Sequence, residues 1–507
     1  MLKRLILAAA CTSLLTGNAL AQDAKTVIAN AQKAMGDVQS ITYSGSAKDV
    51  SFQQCGANAA DMQCRGTHDP MRPINNYVRV IDLTGPTSRA MGATNNIGAG
   101  GSTTVAPGTF SQQITPQQAD VSQPWNNSLE LYLTPWGFLK GAADHNATAT
   151  RRRVDGKNYT VLTWSPTVKA ASGKSYTING YVNDRNQIER VETWLGENVM
   201  GDMQIVATYT GWKDFGGGAT APTKIVQTRG GWPFFQVDVT AARANPSDVA
   251  TIAQPPAPAA GRGGAGGGRA GGPGAPPALT VTTEKLGDGL YRLTTGPGSY
   301  DSVIVEFKDY VMMLEAGQSI ARGQAYVAKT KELFPNKPIR YVMNTHPHSD
   351  HTGGLPALVA EGATIITQQN NKAFLEKALN TPRTLLDDVL AKNPKPAKIE
   401  AVAEKKVYTD GTRTVEMYHT WPVPHSNGLM IAYLPKEKIL FQGDFSLPAA
   451  GQPANDHVKA LAPIVLDKLK LDFQRYINVH TSAQPETRED FVKAVEARKK
   501  ADGAATK

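Results

Sequence analysis

The chain has 507 residues, 41% of them hydrophobic, and a formal net charge of +9. That length exceeds one domain and supports a sizeable core, so two or three domains are expected. The basic excess is mild, with no basic stripe interleaved with aromatics, so it speaks for solubility and against a nucleic-acid partner.

Met1-Leu2-Lys3-Arg4, the apolar run Leu5 to Leu15 and Ala19-Leu20-Ala21 read as a signal peptide over 1–21, with a mature start near Gln22. The expected location is periplasmic or secreted, and loss of Lys3 and Arg4 lowers the net charge to +7. The run is too short to span a membrane, and no other stretch reaches that length. Cys11 lies within the run, and lipidation there is the less favoured reading. Two cysteines remain, Cys55 and Cys64, and export predicts a disulfide between them.

The first domain is expected over 22–253 as antiparallel β. A helix over Ala24–Met35 ends at Gly36. Alternating segments follow at Ser40–Ser46, Tyr77–Leu83, Tyr159–Trp164, Tyr176–Val182, Gln187–Leu195, Gln204–Thr210, Thr223–Thr228 and Phe234–Thr240, with turn signals such as Asp155-Gly156. Residues 91–124, rich in Gly, Ser, Thr, Gln and Pro, read as a long loop. A meander with a leading helix resembles the half-barrel of periplasmic lipoprotein-carrier domains. That resemblance implies an envelope lipid or acyl group as a partner.

Residues 254–278 hold nine Gly and six Pro in 25 positions, which cannot build a core and read as a linker.

The second domain, 279–507, alternates strand and helix. Strands are expected at Gly289–Thr294, Ser302–Glu306, Tyr310–Glu315, Ile339–Thr345, Ala363–Thr367, Thr414–His419, Leu429–Leu434, Ile439–Phe441 and Tyr476–Val479. Helices are expected at Ser319–Leu333, from Leu355, at Asn371–Leu379, His457–Leu471 and Pro485–Arg498.

Three of the nine histidines crowd into His346-Pro347-His348-Ser349-Asp350-His351, after a predicted buried strand. Ligand types gathered at the carboxyl end of a strand mark a metal site in an α/β protein. A two-ion site needs about six protein ligands. His425, Asp444 and His480 supply the rest, each beside the end of a hydrophobic strand. A closed structural site would favour cysteine and would not need Asp444. His419 reads as packing or surface, His457 as a solvated helix start, His68 and His145 as surface, and Trp421 as core.

This series resembles the metallo-β-lactamase superfamily over about residues 279–500. The resemblance implies an αββα sandwich with two zinc ions at one edge of its sheets. It places His346, His348 and His425 on one zinc, Asp350, His351 and His480 on the other, and Asp444 between them. Glu315, in Leu314-Glu315-Ala316-Gly317, stands where the family usually carries an Asp that supports the site. The implied mechanism is attack by a metal-bound hydroxide on a carbonyl or phosphoryl centre. Asp350 would orient the nucleophile or accept its proton, and no side-chain nucleophile is needed.

In that family two-zinc β-lactamases usually carry Cys or Ser where Asp444 stands. Asp444 instead resembles the lactonase, thioesterase and phosphodiesterase branches. The expected activity is therefore zinc-dependent hydrolysis of an ester, lactone or related bond in a small molecule. β-Lactam hydrolysis is the alternative; a di-iron oxidoreductase and a lipid- or acyl-binding envelope protein are the readings of other classes.

Overall fold

The computed structural model describes residues 23–49, 71–95, 107–114, 124–253, 279–296, 300–480 and 486–505. The signal-peptide, Cys11, Cys55–Cys64, His68 and 254–278 linker readings lie outside the described residues.

The first half is an 11-stranded sheet. From edge to edge it runs Pro107–Ile114, Thr87–Asn95, Arg72–Asp82, Ser40–Asp49, Trp232–Ala244, Thr220–Arg229, Gly201–Asp214, Ile188–Glu197, Ile178–Val182, Lys157–Trp164 and Thr148–Val154. Every pairing is antiparallel, and Ser40–Asp49 beside Trp232–Ala244 joins the start of the meander to its end. Among the described residues, three helices of nine residues or more pack on the sheet. Ala24–Ala34 is capped by the Asp23 carboxylate, which accepts from the amides of Lys25 and Thr26. It stops at Gly36, where φ is +99° and a Cβ would lie 2.3 Å from the Gly218 carbonyl oxygen. Pro124–Tyr132 and Pro135–Asp144 bring Trp125, Leu129 and Phe138 into the core, and Trp125 meets Trp164 edge-on at 6.1 Å. Trp125, Phe138 and Trp164 are buried between these helices and the sheet, and nothing among the described residues supports the acyl-binding reading.

One stretch departs from expectation. The stretch 91–124 is not one loop: Thr87–Asn95 and Pro107–Ile114 form an edge hairpin, and Pro124–Tyr132 begins a helix. The strand Thr87–Asn95 buries Ser88 and Ala90, and Gly92 packs so closely that a Cβ would meet Ile74 at 2.5 Å. Small residues chosen for close approach carry little hydropathy signal.

The second half is an αββα sandwich. One sheet has seven strands, in the order Thr282–Gly287, Leu290–Thr294, Ser302–Glu306, Val311–Leu314, Ile339–Met343, Thr364–Gln368 and Lys398–Val402. Its last four strands are parallel. The other has six: Lys405–Thr409, Thr414–His419, Met430–Leu434, Ile439–Gln442, Arg475–Asn478 and Glu486–Thr487. Val303, Met312, Leu314 and Met343 of the first sheet meet Met417, Met430, Phe441 and Ile477 of the second in one apolar layer. Both faces of the inner strands are covered, which is why they read as unbroken hydrophobic runs. Ile320–Leu333, Leu355–Glu361 and Gln369–Leu379 add apolar residues to the core outside the first sheet, and Asp456–Ala462 and Arg488–Ala505 outside the second. The helix expected over His457–Leu471 changes character at Pro463, which has no amide proton, and continues as a π-helix to Lys468. The strands Thr282–Gly287 and Lys405–Thr409 are mostly exposed and Lys398–Val402 is only partly buried, so none carries a readable pattern.

The two halves are docked against each other. Arg383 is buried; it donates to the Asn198 carbonyl at 2.6 Å and pairs with Asp388. Asp202 accepts from the amides of Thr384 and Leu385, each at 2.9 Å. Trp232 meets Phe374 edge-on at 5.4 Å, and Lys377 lies over the Trp232 ring.

Candidate metal centre

The strand Ile339–Met343 delivers Asn344, Thr345 and His346 to the edge of the sandwich. Asn344 then folds the hexapeptide back: its amide Nδ2 donates to the carbonyls of His346 (2.8 Å) and His351 (3.1 Å). A one-turn helix, Ser349–Thr352, places Asp350 and His351, and Thr352 donates to the His348 carbonyl. Gly353 and Gly354 let this turn sit on the segment Ala316–Gln318; a Cβ on either would lie about 2 Å from a carbonyl oxygen there.

The other strand ends follow the same logic. Gln442 accepts from the Phe445 amide at 2.8 Å, which turns the chain at Asp444. Asn478 accepts from the His480 amide at 2.8 Å and donates to Ser446. His425 arrives on the loop before Met430–Leu434.

All seven expected ligand residues converge. Ligand atoms of His346, His348, His425 and Asp444 form one group within 4.8 Å, and those of Asp350, His351, Asp444 and His480 form a second. Asp444 belongs to both. Its Oδ2 lies 3.1 Å from His425 Nε2, while its Oδ1 lies 2.8 Å from His351 Nε2 and 3.1 Å from His480 Nε2. Imidazole nitrogens face each other at 2.9 Å (His346–His348), 3.0 Å (His346–His425) and 3.2 Å (His351–His480). Five imidazoles turned inward on shared points, with carboxylates beside them, present a donor set suited to cations.

The first group is buried, with His346 inaccessible to solvent. The second opens outward: the side chains of Asp350 and His480 are 19% and 31% exposed. Burial pushes the His346 pKa well down, aided by neighbouring His351. Burial also opposes charge on His351, but Asp444, Asp350 and Glu315 outweigh it and raise its pKa. Burial works to raise the Asp444 pKa and loses to His351, His346 and His425, which hold it well below the usual carboxylate range.

Glu315 occupies the supporting position. It is fully buried at φ +70°, accepts from the Thr345 amide at 2.6 Å, and lies 3.6 Å from His351 Nδ1. At that distance Glu315 acts on His351 through its charge, while Thr345 Oγ1 lies 3.4 Å from the same Nδ1.

One residue at the site went unassigned in the sequence, and one was assigned elsewhere. Tyr300 donates to Asp350 Oδ2 at 3.1 Å, and its ring lies 4.6 Å from that of His480. The short stretch before it carries no ligand motif, so nothing local announced it. His457 corrects an expectation: it is not solvated but buried, with its ring 4.9 Å from that of His425. Burial, with His425 beside it, lowers its pKa to about 4. A helix start six residues before a proline read as surface because its burial comes from loops distant in sequence. His419 packs as expected, against the Asn427 carbonyl at 2.7 Å. Trp421, expected in the core, is half-buried.

A family model, the metallo-beta-lactamase superfamily, matches residues 295–462. No curated relative matches the chain. Among solved structures, a metallo-beta-lactamase from Pontibacter korlensis is 16% identical and covers 43% of this chain and 99% of its own, with a TM-score of 0.34. The mono-zinc form of the metallo-beta-lactamase FIM-1 from Pseudomonas aeruginosa is 19% identical, covers 45% and 98%, and has a TM-score of 0.33. One from Hirschia baltica is 21% identical, covers 43% and 97%, and has a TM-score of 0.31. The match over residues 295–462 falls on the αββα sandwich and on its histidine–aspartate edge as far as Ala462, and assigns that region to the metallo-beta-lactamase superfamily.

Proposed function

We propose that this protein is an exported hydrolase that holds two zinc ions and cleaves an ester, lactone or related bond in a small molecule. The observation that carries this is Asp444, which belongs to both ligand groups: its Oδ2 faces His425 of one, and its Oδ1 faces His351 and His480 of the other. A carboxylate in that position suits a bridge between two cations.

His346, His348 and His425 would hold one ion, and Asp350, His351 and His480 the other, with Asp444 shared. Bound cations supply an acidified water and a polarised acyl oxygen. The remaining work falls to the chain. Buried His346, His348, His351 and His425 wall the inner side against solvent, so charge there is weakly screened. The exposed flank at Asp350 and His480 admits substrate. Asp350 stands on that flank to orient the attacking water and accept its proton. Glu315 and Asn344 hold the hexapeptide in register.

The test is metal quantification of purified protein together with a hydrolysis panel of lactones, aryl esters, β-lactams and phosphodiesters. The expected result is two zinc ions per chain and turnover of an ester or lactone. His348→Ala should lower that turnover by at least about a hundredfold, since ligand loss removes several kcal/mol of charge stabilisation. Less than one ion per chain in excess zinc, or an indifferent His348→Ala, would overturn the reading; iron in place of zinc would favour the oxidoreductase. Export is checked separately by sequencing the amino terminus of secreted protein, expected at Gln22.

A further inference from the structure

We infer that Tyr300 is a positioning residue: its phenol fixes the Asp350 oxygen that faces the second ligand group and so sets how tightly that group holds a cation. This rests on the two-ion reading above.

The contacts of Tyr300 fall on that group. Its hydroxyl donates to Asp350 Oδ2 at 3.1 Å, and the same oxygen lies 3.7 Å from Nε2 of both His351 and His480. Its ring centroid lies 4.6 Å from that of His480 and 6.0 Å from that of His351. One side chain therefore touches three of the four members of the second group.

Tyr300 is also held firmly. It forms a β-bridge with His480, and the next amide, Asp301, donates to the Val479 carbonyl at 2.8 Å. Tyr326 donates to the Tyr300 carbonyl, and buried Asp301 is gripped by Arg292. The backbone of Tyr300 is thereby tied to the strand end that carries His480. The Asp350 side chain stands on the open flank, 19% exposed. The Tyr300 hydrogen bond to its charged oxygen orients that carboxylate and leaves the second lone pair for a cation. Partners of this kind alter metal affinity by about 10–100-fold.

Tyr300→Phe keeps the ring against His480 and removes only the hydroxyl. Full-length protein, freed of metal by chelation, is titrated with cobalt(II) while its visible absorption bands are followed. The variant should bind the first equivalent like the parent and the second about 10–100-fold more weakly. Its turnover should fall at limiting cobalt and recover at high cobalt. In Asp350→Ala protein the same substitution should add no further loss.

Two equivalents bound with the parent's affinities would overturn the inference while leaving the two-ion reading intact. Equal weakening of both equivalents, or additive loss with Asp350→Ala, would assign Tyr300 to general packing and overturn it too. A parent that binds fewer than two equivalents sinks the two-ion reading and this inference with it. A parent that binds two but hydrolyses nothing on the panel removes the proposed activity alone.

Discussion

Glu315 shows how a buried charge can be kept where function needs it. It sits at φ +70°, out of solvent, with one oxygen committed to the Thr345 amide and the other facing His351. Glu315→Ala leaves that buried amide without its acceptor and His351 without its carboxylate. We expect a loss of about 2 kcal/mol in unfolding free energy and roughly 10–100-fold weaker binding of zinc. Denaturant melts of metal-free protein and zinc titration separate the two effects. Glu315→Gln, which keeps an acceptor oxygen, should retain most of the stability and less of the affinity. A variant as stable and as tight as the parent would show that Asn344 alone holds the turn.

At the scale of elements, the segment Thr381–Lys392 matters most outside the site. It follows the helix Gln369–Leu379 and carries Arg383 into the first half, where backbone carbonyls of Asn198 and Val199 receive it. Arg383→Ala leaves Asp388 largely buried without its partner. Breaking such a pair costs about 3–5 kcal/mol, so the melting temperature should drop by roughly 3–5 °C for a protein of this size. The ligand atoms are not touched, so metal stoichiometry should stay at the parent's value. A drop in stoichiometry would mean that docking of the halves shapes the metal edge. The hairpin at Thr87–Ile114 carries a related lesson: Ser88, Ala90 and Gly92 pack by being small, so a pattern that exists in space is faint in hydropathy.

For the whole molecule, one apolar cluster includes Leu195, Val199 and Met200 of the first half and Leu379, Leu385 and Leu390 of the second. Residues 279–507 expressed alone would expose Phe374, Leu385 and the Arg383 guanidinium. We expect that fragment to be less soluble and to melt lower than the intact protein. A fragment with the parent's melting curve would show the docking to be energetically idle. Chelation is a second whole-molecule test. A cation at a thousand times its dissociation constant stabilises by about 4 kcal/mol, so metal removal should lower the melting temperature by roughly 3–5 °C. An unchanged melt would count against a resident metal.

The sequence alone determined the strand and helix alternation of the second half and its ligand-type residues, and the family they resemble implied the sandwich and the meeting of seven of them at its edge. Short buried strands announce themselves by unbroken apolar runs, and His346 to His351, His425, Asp444 and His480 are rare residue types at strand ends. Tertiary structure decided what depends on partners far apart in the chain. Tyr300 reaches Asp350 across 50 positions, His457 is buried beneath a loop 32 residues earlier, and Arg383 finds its acceptors in the other half. Local pattern reports which face of an element is apolar; it does not report which distant group will stand opposite. That juxtaposition places Asp444 between the two ligand groups, with Oδ2 toward His425 and Oδ1 toward His351 and His480.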